Sequence, residues 1–351
     1  MARNRVSAGS SASAQGSLVL PSALLERLAD GRDHSRTRLR ELLALGAGEI
    51  EDQLHQLEAT GLEIVTNADN SLRLAEPIDW IELAAIKSAL CGPYLVRIDS
   101  IERCLEVAST NRHLLGGRPP ETGKIRIAIA EYQTAGRGRR GRDWAMPPGA
   151  GIALSVSWYF GQEPAGLSAL SLAVGAAARR AIRDVTDLDI DLKWPNDLIV
   201  DDGKLGGILV ELSQMPDGGC HVVAGIGINV KVPDAYLASV SNFPQGARDL
   251  SSFAPEWSID RAALAVALIE RLIELFGNFA DTGFTPYRQE WLEAHILNGK
   301  AIELHTGSGR AYGVVHGIGL DGALVIENDS GERRSIISGD VTIRADHDVR
   351  D

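Results

Sequence analysis

Residues 131–144, EYQTAGRGRRGRDW, carry four arginines that are interspersed with glycines. Glycine lets the backbone approach a ligand closely, and the planar guanidinium of arginine donates paired hydrogen bonds to phosphate or carboxylate. Gly136, Gly138 and Gly141 also satisfy the GxGxxG spacing of dinucleotide-binding loops. Such a loop opens directly into a helix, whereas here Pro-Pro-Gly at 147–149 breaks the chain before a predicted strand. We therefore predict an anion-binding loop that its ligand orders, in preference to a dinucleotide site or a solvated basic loop.

Lysines and amide side chains follow in two later segments. KWPND occupies residues 193–197, where the proline interrupts a strand and the asparagine and aspartate favour a turn with exposed side chains. KLGGILVE follows at 204–211, and its two glycines leave room for a ligand against the next strand. Lys204 is therefore predicted to anchor an anion. The Trp194–Pro195 pair suits core packing and a turn as well as it suits a ligand contact.

Two shorter segments place polar groups at the ends of predicted elements. GIGIN at 225–229 ends a strand, where Asn229 is predicted to face a crevice at the carboxyl edge of the sheet. Ser-Thr-Asn at 109–111 begins a helix, and helix N-capping alone would explain these residue types. Neither segment identifies a site by itself.

The elements that must position these segments alternate between strands and helices. Strands are predicted at 125–130, at 152–158, from 189, at 208–212 and at 221–230. Helices are predicted at about 167–185 and 261–279. The second helix carries a stripe of apolar residues at Leu264, Leu268, Leu272, Leu275 and Phe279. This pattern is typical of an α+β fold, in which helices back one sheet.

Different patterns flank this central section. Residues 21–74 predict three short helices and a hairpin, the layout of a winged helix-turn-helix. Short apolar runs between glycines at 300–344 predict a small β-barrel of about five or six strands. The predicted divisions are a disordered tail at 1–17, the winged helix at 18–76, a catalytic domain at 77–297 and the barrel at 298–351.

Composition excludes several classes of protein. The chain has 351 residues, 44% hydrophobic and 23% charged, which indicates a folded protein of several domains. A formal net charge of −12 opposes a protein that mainly coats nucleic acid. Three cysteines without CxxC spacing predict neither a disulfide framework nor a zinc site, and so favour the cytoplasm. No signal peptide, membrane span or membrane partner is expected.

The segments ASTN, EYQTAGRGRRGRDW, KWPNDLIV, DGKLGGILVEL and GIGIN, in this order, resemble the bifunctional biotin protein ligases that also act as biotin operon repressors. The resemblance spans roughly residues 18–345. It implies a winged helix-turn-helix, a mixed-sheet catalytic domain like that of class II synthetases, and a C-terminal SH3-like β-barrel. It also implies an enzyme, a biotin-[acetyl-CoA-carboxylase] ligase, which converts biotin and MgATP into biotinyl-5′-AMP. That ligase then transfers biotin to a lysine of biotin carboxyl carrier protein.

The same resemblance implies roles for individual residues. Biotin binding is implied for Ser109, Thr110, Asn111, Gln133, Arg137, Gly138, Arg139 and Lys204. Nucleotide binding is implied for Arg140, Arg142, Trp144, Asn196 and Asn229. Participation in catalysis is implied for Arg137, Lys193, Asp197 and Lys204, with no resident metal site. Ala108 departs from the acidic residue that the family commonly has before Ser-Thr-Asn, and we expect this to remove one supporting contact.

The predicted winged helix raises the question of operator DNA as a second partner. Its reading helix, at about 47–60, exposes four acidic residues and has no lysine or arginine, and the wing turn at 67–70 has no basic residue. Four arginines between positions 32 and 40 could contact phosphates. The acidic helix opposes DNA binding, so a domain that only steadies the enzyme or its dimer is the alternative to repression.

Two other functions stay open at this point. A sensor-repressor would bind biotinyl-5′-AMP without efficient transfer, and a lipoate protein ligase would share the fold and the adenylate chemistry. The lipoate alternative is disfavoured because KWPND, GRGRRGR and the winged helix occur together. The family also implies a homodimer by pairing of sheet edges, although the sequence identifies no edge.

Overall fold

A computed structural model describes residues 20–163, 166–239, 246–253, 259–306, 309–328 and 330–343. The predicted disordered tail at 1–17 lies outside these residues. Three sheets follow one another along the described chain, with three, seven and five strands. None of the helices in these ranges is long and apolar enough to cross a membrane.

The first unit contains three helices and a small antiparallel sheet. Its elements are α1 (Ser22–Leu28), β1 (His34–Ser35), α2 (Arg36–Leu43), α3 (Ala47–Ala59), β2 (Ile64–Thr66) and β3 (Ser71–Leu74). The strand order is β1-β3-β2. Ile50, Leu54 and Leu57 of α3 are buried in the core of this unit, because the i, i+4, i+7 spacing places them on one face of the helix.

The middle unit surrounds a seven-stranded mixed sheet. Its strands are β4 (Ile98–Val107), β5 (Ile125–Gln133), β6 (Gly151–Phe160), β7 (Asp191–Lys193), β8 (Asp197–Val200), β9 (Gly203–Gln214) and β10 (Cys220–Asn229). Its helices are α4 (Leu83–Ala89), α5 (Gly92–Leu95), α6 (Thr110–Leu115), α7 (Leu170–Thr186), α8 (Asp234–Ser239), α9 (Arg261–Thr282) and α10 (Thr285–Ala294). The strand order is β4-β5-β6-β10-β9-β8-β7, in which β4 and β5 are parallel and the other neighbours antiparallel. The predicted mixed sheet backed by helices is confirmed.

The two faces of this sheet differ in composition because successive strand residues point to opposite sides. On β6, the alternating residues Ile152, Leu154, Val156 and Trp158 join the apolar core with α7 and α9. Trp158 stacks on Phe276 of α9, with ring centroids 5.8 Å apart. The other residues of β6, such as Ala153 and Ser155, face away from that core. One face therefore anchors the helices, and the other carries small and polar residues.

Several elements differ from the sequence prediction. Strands β5, β6 and β9 run longer than predicted, and Lys204 lies inside β9 instead of ahead of it. The strand expected from residue 189 begins at Asp191. Strand β4 and helices α4 and α10 were not predicted. Since β4 is an edge strand whose residues are all half-buried, it lacks the clear apolar alternation that marks a strand in sequence.

The last unit is a five-stranded antiparallel sheet. Its strands are β11 (Ala301–Thr306), β12 (Gly309–Ile318), β13 (Leu324–Glu327), β14 (Arg333–Ile336) and β15 (Asp340–Ile343), in the order β14-β13-β12-β11-β15. Trp194 Nε1 of the middle unit donates to the Gly322 carbonyl at 3.0 Å, and Ser168 Oγ donates to the Asp321 carbonyl at 2.7 Å. These bonds hold the turn before β13 against the middle unit.

Candidate active site

A cavity of about 430 Å³ lies on the face of the seven-stranded sheet that carries the small and polar residues. The structure brings nearly all the predicted site residues into its lining, although they are far apart in sequence. The predicted residues that line it are Ser109, Thr110, Asn111, Gln133, Arg137, Gly138, Arg139, Arg142, Trp144, Lys193, Asn196, Asp197, Lys204 and Asn229. Arg140 is exposed and lies outside this lining.

The closed end of the cavity is formed where α6 begins. Ser109 caps the helix, since its Oγ accepts from the Arg112 amide at 3.5 Å. Thr110 and Asn111 are buried and line the cavity as well. Helix capping and ligand binding are therefore compatible roles, because the residues at the start of α6 both cap the helix and line the cavity.

A continuous chain of hydrogen bonds crosses this closed end. Gln133 Oε1 accepts from the Thr110 amide at 2.8 Å. Ser155 Oγ lies 2.7 Å from Thr110 Oγ1 and 2.6 Å from Asn111 Oδ1. Asn111 Nδ2 then donates to Glu211 Oε2 at 2.9 Å. Four elements, β5, α6, β6 and β9, are thereby joined by polar side chains that sit at fixed positions.

The arginine-rich loop forms the open end. It folds back on itself, because the Gly138 amide donates to the Arg142 carbonyl at 2.7 Å and the Trp144 amide donates to the Gly136 carbonyl at 3.0 Å. A Cβ on Gly136 would lie 2.2 Å from the Trp144 carbonyl oxygen, so only glycine permits this fold. Arg140 has a φ of 55°, at the tip of a short 3-10 turn. A strand follows this loop, as predicted, and no dinucleotide-type helix does.

Trp144 packs against β10. A Cβ on Gly227 would come within 2.4 Å of its ring, so the glycine of the GIGIN segment makes room for the indole. Gly225 does the same for Asn111, whose Oδ1 would be 2.2 Å from a Cβ there. Trp144 Nε1 is buried, and no hydrogen-bond partner for it occurs among the described residues. The two glycines of β10 therefore shape both ends of the cavity.

Charged and amide groups line the cavity between these ends. Lys204 Nζ lies 2.5 Å from Asp197 Oδ1. Asn196 Nδ2 donates to the Ile208 carbonyl, and Asn229 Nδ2 donates to the Arg248 carbonyl, both at 2.9 Å. Because each amide nitrogen is engaged by the backbone, each amide group has a fixed orientation. Trp194 is buried and, with Pro195, also lines the cavity, so core packing and a ligand contact both stay open for this pair.

Sequence reasoning missed several residues of this site. Ser155 and Glu211 belong to the polar chain, and Tyr236 and Leu237 of α8 line the cavity. Glu131, the first residue of the arginine-rich segment, has no predicted role, yet it is completely buried. A glutamate within the apolar run IAIAEYQ was the available signal, since buried carboxylates are almost always paired.

Glu131 pairs most closely with Arg261, at the start of α9, and Arg103 Nη2 also donates to Glu131 Oε1 at 3.3 Å. Arg261 donates to Glu131 Oε2 at 2.7 Å and also to the Gly151 and Asp79 carbonyls. Glu131 Oε1 accepts from the Ile81 amide at 2.9 Å. This pair joins the end of β5, which holds Gln133, to the segment that leads from the first unit.

Comparison with known proteins agrees with this geometry. The Biotin/lipoate A/B protein ligase family matches residues 106–229, and the Biotin protein ligase C terminal domain matches residues 298–344. The Bifunctional ligase/repressor BirA of Escherichia coli strain K12 is 32% identical over 327 residues, which cover 93% of this chain and 98% of that protein. The chain belongs to the biotin protein ligase family.

Other members of this family show the same likeness. The Biotin--[acetyl-CoA-carboxylase] ligase of Paracoccus denitrificans is 33% identical over 241 residues, covering 64% of this chain and 93% of that protein. The structure of the Aquifex aeolicus biotin protein ligase in complex with biotin and ATP superimposes with a TM-score of 0.57 at 26% identity. The superposition covers 70% of this chain and 99% of that one. The mixed central sheet is therefore the biotin protein ligase fold.

Proposed function

We propose that this chain is a biotin-[acetyl-CoA-carboxylase] ligase. It converts biotin and ATP into biotinyl-5′-AMP and transfers the biotinyl group to a lysine of biotin carboxyl carrier protein. The observation that carries the proposal is the cavity, which joins a buried, neutral, hydrogen-bonded end to an end lined by arginines and lysines. A carboxylic acid with a polar ring suits the neutral end, and a nucleoside triphosphate suits the cationic end. The reaction needs these two environments side by side.

The cationic end addresses the main obstacle to adenylation. A carboxylate must attack an α-phosphate that is itself negative, so the site must neutralise charge and align the two groups. Arg137, Arg139 and Lys204 line this end, with Lys193 nearby in the lining. We assign biotin's carboxylate and the attacked phosphate to these cations. Their fixed charges stabilise the negative charge that spreads over the phosphate in the transition state.

The remaining lining residues suit the nucleotide. We assign the adenine to the indole of Trp144, and the rest of the nucleotide to Arg142, Asn196 and Asn229. Arg140 contributes only through the fold of the loop, since its side chain lies outside the lining. Asp197 stands beside Lys204 and is therefore placed to hold that ammonium group in position.

Magnesium enters with ATP in this proposal. Among the described residues no group of three or more His, Cys, Asp or Glu side chains forms a cage for a metal ion. The cavity lining does include the carboxylates of Asp143 and Asp197. This donor set suits an ion that the triphosphate largely coordinates itself. The ion would supply screening of phosphate charge, while the arginines and lysines hold and orient the reacting groups.

The arginine loop also protects the product. Biotinyl-5′-AMP is a mixed anhydride that water hydrolyses, so the cavity must exclude water until the carrier lysine arrives. The loop from Gly136 to Trp144 borders the open end and is held by internal backbone hydrogen bonds. We propose that it closes over the adenylate as a lid.

Incubation of the purified chain with biotin, MgATP and a biotin carrier domain tests this function. The carrier is expected to gain the mass of one biotinyl group, measured by mass spectrometry. Arg137→Ala and Lys204→Ala should each reduce the rate by at least about tenfold, since each removes a charge from the phosphate end. Arg38→Ala, on α2 of the first unit and outside the cavity lining, is the matched control and should keep the wild-type rate. Tight biotin binding without carrier labelling would replace the ligase with a sensor-repressor.

We also propose the domain division at 1–17, 18–76, 77–297 and 298–351. The first unit has three helices and a β2–β3 hairpin, which supports a winged helix-turn-helix. The five antiparallel strands of the last unit support an SH3-like β-barrel. The relatives named above are biotin ligases, which supports biotin as the substrate in preference to lipoate.

Repression of biotin genes is the second candidate function. It is favoured by the first unit, because the relatives that match nearly the whole chain carry the name Bifunctional ligase/repressor. Its electrostatics are unfavourable. Glu49, Glu51, Asp52 and Glu58 of α3 are exposed, and Arg36 of α2 is paired with Glu51.

Binding of DNA from upstream of the biotin genes, followed by fluorescence anisotropy with biotin and ATP present, decides this candidate. Specific binding at physiological salt would support repression. A steep fall of the DNA affinity with increasing salt would identify phosphate contacts. Absence of binding by a chain that still labels the carrier would remove repression alone.

Location and assembly complete the proposal. The three cysteines are free, which supports the cytoplasm. A homodimer through a sheet edge would use β4, the ten-residue edge strand of the central sheet. Sedimentation of the chain with and without biotin and ATP measures this state.

A further inference from the structure

A buried arginine outside the cavity lining contacts both ends of the segment that contains the arginine-rich loop. Arg261, the first residue of α9, is 5% exposed. Its Nη2 donates to Glu131 Oε2, before the loop, and to the Gly151 carbonyl, after the loop, both at 2.7 Å. Its Nε donates to the same carbonyl at 3.0 Å. One planar guanidinium therefore joins the chain that enters the loop to the chain that leaves it.

The start of α9 is an unfavourable place for a buried cation. A helix N-terminus carries partial positive charge, and burial removes the hydration of the guanidinium. The helix is already capped by Asp260, whose carboxylate accepts from two amides of the first turn. Helix α9 therefore needs no arginine at this position for its own formation. The bonds of Arg261 to Glu131 and Gly151 offset the cost of burying it.

These bonds lie where the ladder between β5 and β6 stops. The last residue of β5 in this ladder is Ala130. The exit of the loop has fewer backbone donors than an ordinary strand, since the prolines at 147–148 carry no N–H. The Gly149 amide donates to the Glu131 carbonyl at 3.2 Å. Arg261 adds a side-chain link between the two ends just beyond the last backbone pair of the ladder.

The shape of the arginine-rich loop and its place over the sheet have different origins. The bonds of Gly138 to Arg142 and of Trp144 to Gly136 lie within the loop and set its shape. Its place depends on how its two ends are held, as well as on the packing of Trp144 against β10. Stabilisation of a reacting phosphate requires cations at fixed positions, so a shift of the whole loop should reduce the rate.

We propose that Arg261 is a positioning residue for adenylation, because it fixes the two ends of the arginine-rich loop and so places Arg137 and Arg139 against the reacting phosphate. The inference rests on the proposed ligase function. Arg261 is not among the residues that line the cavity, so it acts through the loop. Loss of its planar fork should therefore slow adenylation without weakening the binding of biotin.

Arg261→Lys is the first test. Lysine keeps a positive charge beside Glu131, but it does not reproduce the planar fork that also reaches the Gly151 and Asp79 carbonyls. The rate of adenylate formation, followed by pyrophosphate release without a carrier, should fall by about tenfold. The Kd for biotin, measured by calorimetry without ATP, should stay within about twofold of the wild type because Glu131 keeps a cationic partner.

Limited digestion with trypsin measures the same link without catalysis. Trypsin cleaves after arginine, and the loop offers the four sites Arg137, Arg139, Arg140 and Arg142. Cleavage requires the segment to open locally, so its rate reports how firmly the ends are held. Cleavage within the loop of the ligand-free chain, located by mass spectrometry, should be about fivefold faster in Arg261→Lys than in the wild type.

Arg179→Lys is the matched control for the loss of a buried fork. Arg179 of α7 is 9% exposed, and it donates to one backbone carbonyl and two carboxylates, those of Ile190, Glu290 and Asp189. This variant should lower the urea midpoint about as much as Arg261→Lys does. Its rate of adenylate formation and its loop cleavage should equal those of the wild type.

Arg103→Gln separates the loop from the segment that leads from the first unit. Arg103 contacts Glu131 Oε1 and lies over the ring of Trp80, with its Cζ 5.5 Å from the ring centroid. The substitution therefore weakens the attachment of that segment and leaves the bonds of Arg261 to Gly151 in place. Adenylate formation by Arg103→Gln should stay within about twofold of the wild-type rate.

Three results would overturn the inference. They are a wild-type rate in Arg261→Lys, an equal loss of rate in Arg179→Lys, and an equal loss in Arg103→Gln, which would assign the effect to the segment from the first unit.

Glu131→Gln keeps the inference testable if Arg261→Lys does not fold. Its amide oxygen can still accept from Arg261, so it should slow adenylation by about threefold, and a wild-type rate would again contradict the role of Arg261. A wild-type chain that forms no adenylate would instead count against the ligase itself. The trypsin rates would then still test Arg261, because they need no substrate.

Discussion

The two ends of the cavity are built in different ways. At the closed end, Thr110, Asn111 and Ser155 are buried on a helix and a strand, and each side chain is hydrogen-bonded to the next. At the open end, Arg137 and Arg142 lie exposed on a loop whose own backbone bonds give it shape. The closed end is held by contacts among buried side chains, whereas the open end sits where solvent reaches it.

This difference assigns the two tasks of the enzyme to different parts of the chain. Recognition of a neutral ring needs donors and acceptors at fixed positions, which buried regular structure provides. Charge neutralisation during adenylation needs cations that approach after both substrates are bound, which a loop permits. We expect changes at the closed end to act on biotin affinity, and changes at the open end to act on ATP and on rate.

The largest effect is expected from Gly225→Val, which should abolish the closed end. A Cβ at this position would lie 2.2 Å from Asn111 Oδ1, so the valine must displace the asparagine and disconnect Ser155. Overpacking of this kind typically costs about 1–3 kcal/mol and sometimes more, and here the bound ring also loses its space. The Kd for biotin, measured by calorimetry, should rise by more than about 100-fold.

Gly161→Val serves as the control for this substitution. Gly161 follows β6, and a Cβ there would meet nothing within 4 Å. Its biotin affinity should equal that of the wild type. Undiminished biotin binding by Gly225→Val would show that the closed end is not where the ring binds.

The next effect is expected from Gly227→Ala, which alters the open end from the same strand. Its Cβ would lie 2.4 Å from the ring of Trp144, so the indole must leave β10. The KM for ATP should rise by about 30-fold, equivalent to an overpacking cost of roughly 2 kcal/mol. Biotin binding without ATP should change by less than about threefold.

A second substitution sharpens this result. Trp144→Phe removes part of the ring, so the Gly227→Ala/Trp144→Phe double variant should recover ATP binding relative to Gly227→Ala. Gly225 and Gly227 are only two residues apart on one strand, so the separation of the two ends needs this test. If Gly227→Ala weakened the binding of biotin and ATP equally, the two ends would not act independently.

A smaller effect, on the free energy of unfolding, is expected at acid pH from His295, which contacts the segment of Lys193 and Trp194. His295 accepts from the Trp194 amide at 3.2 Å, and burial lowers its pKa from 6.5 to about 3. Below pH 6.5 His295 is protonated in the unfolded chain but stays neutral in the native chain. Its contribution to the free energy of unfolding is therefore fully present above pH 6.5 and is lost as the pH falls toward 3. By pH 5 the loss should be about 2 kcal/mol.

Urea unfolding at pH 7.5 and pH 5 measures this loss. His295→Gln should show a smaller difference between the two pH values than the wild type. His55→Gln, exposed on α3, should keep the wild-type difference. An unchanged pH dependence in His295→Gln would assign the acid effect to other groups.

The sequence predicted the open end more completely than the closed end. In EYQTAGRGRRGRDW and KLGG, the residue types arginine, lysine and glycine indicate anion binding by themselves. The apolar stripe of α9 follows from the helical period of its residues. Ser155 and Glu211 were not found, because their partner Asn111 is 44 and 100 residues away. Such contacts depend on strand register, which propensity and periodicity do not determine.

The smallest effect is expected at Arg140, and it tests the boundary of the open end. Sequence resemblance implied a nucleotide contact for this residue, but its side chain is exposed outside the cavity lining and its φ is 55°. Arg140→Ala should therefore change kcat/KM for ATP by less than about threefold, whereas Arg137→Ala, from inside the lining, should lower it by at least about tenfold. Arg140→Gly should in addition stabilise the loop slightly, because glycine adopts a positive φ without the cost that arginine bears there. Equal losses in Arg137→Ala and Arg140→Ala would mean that ligand binding turns the loop tip into the cavity, and the open end would then include a residue that lies outside the lining described above.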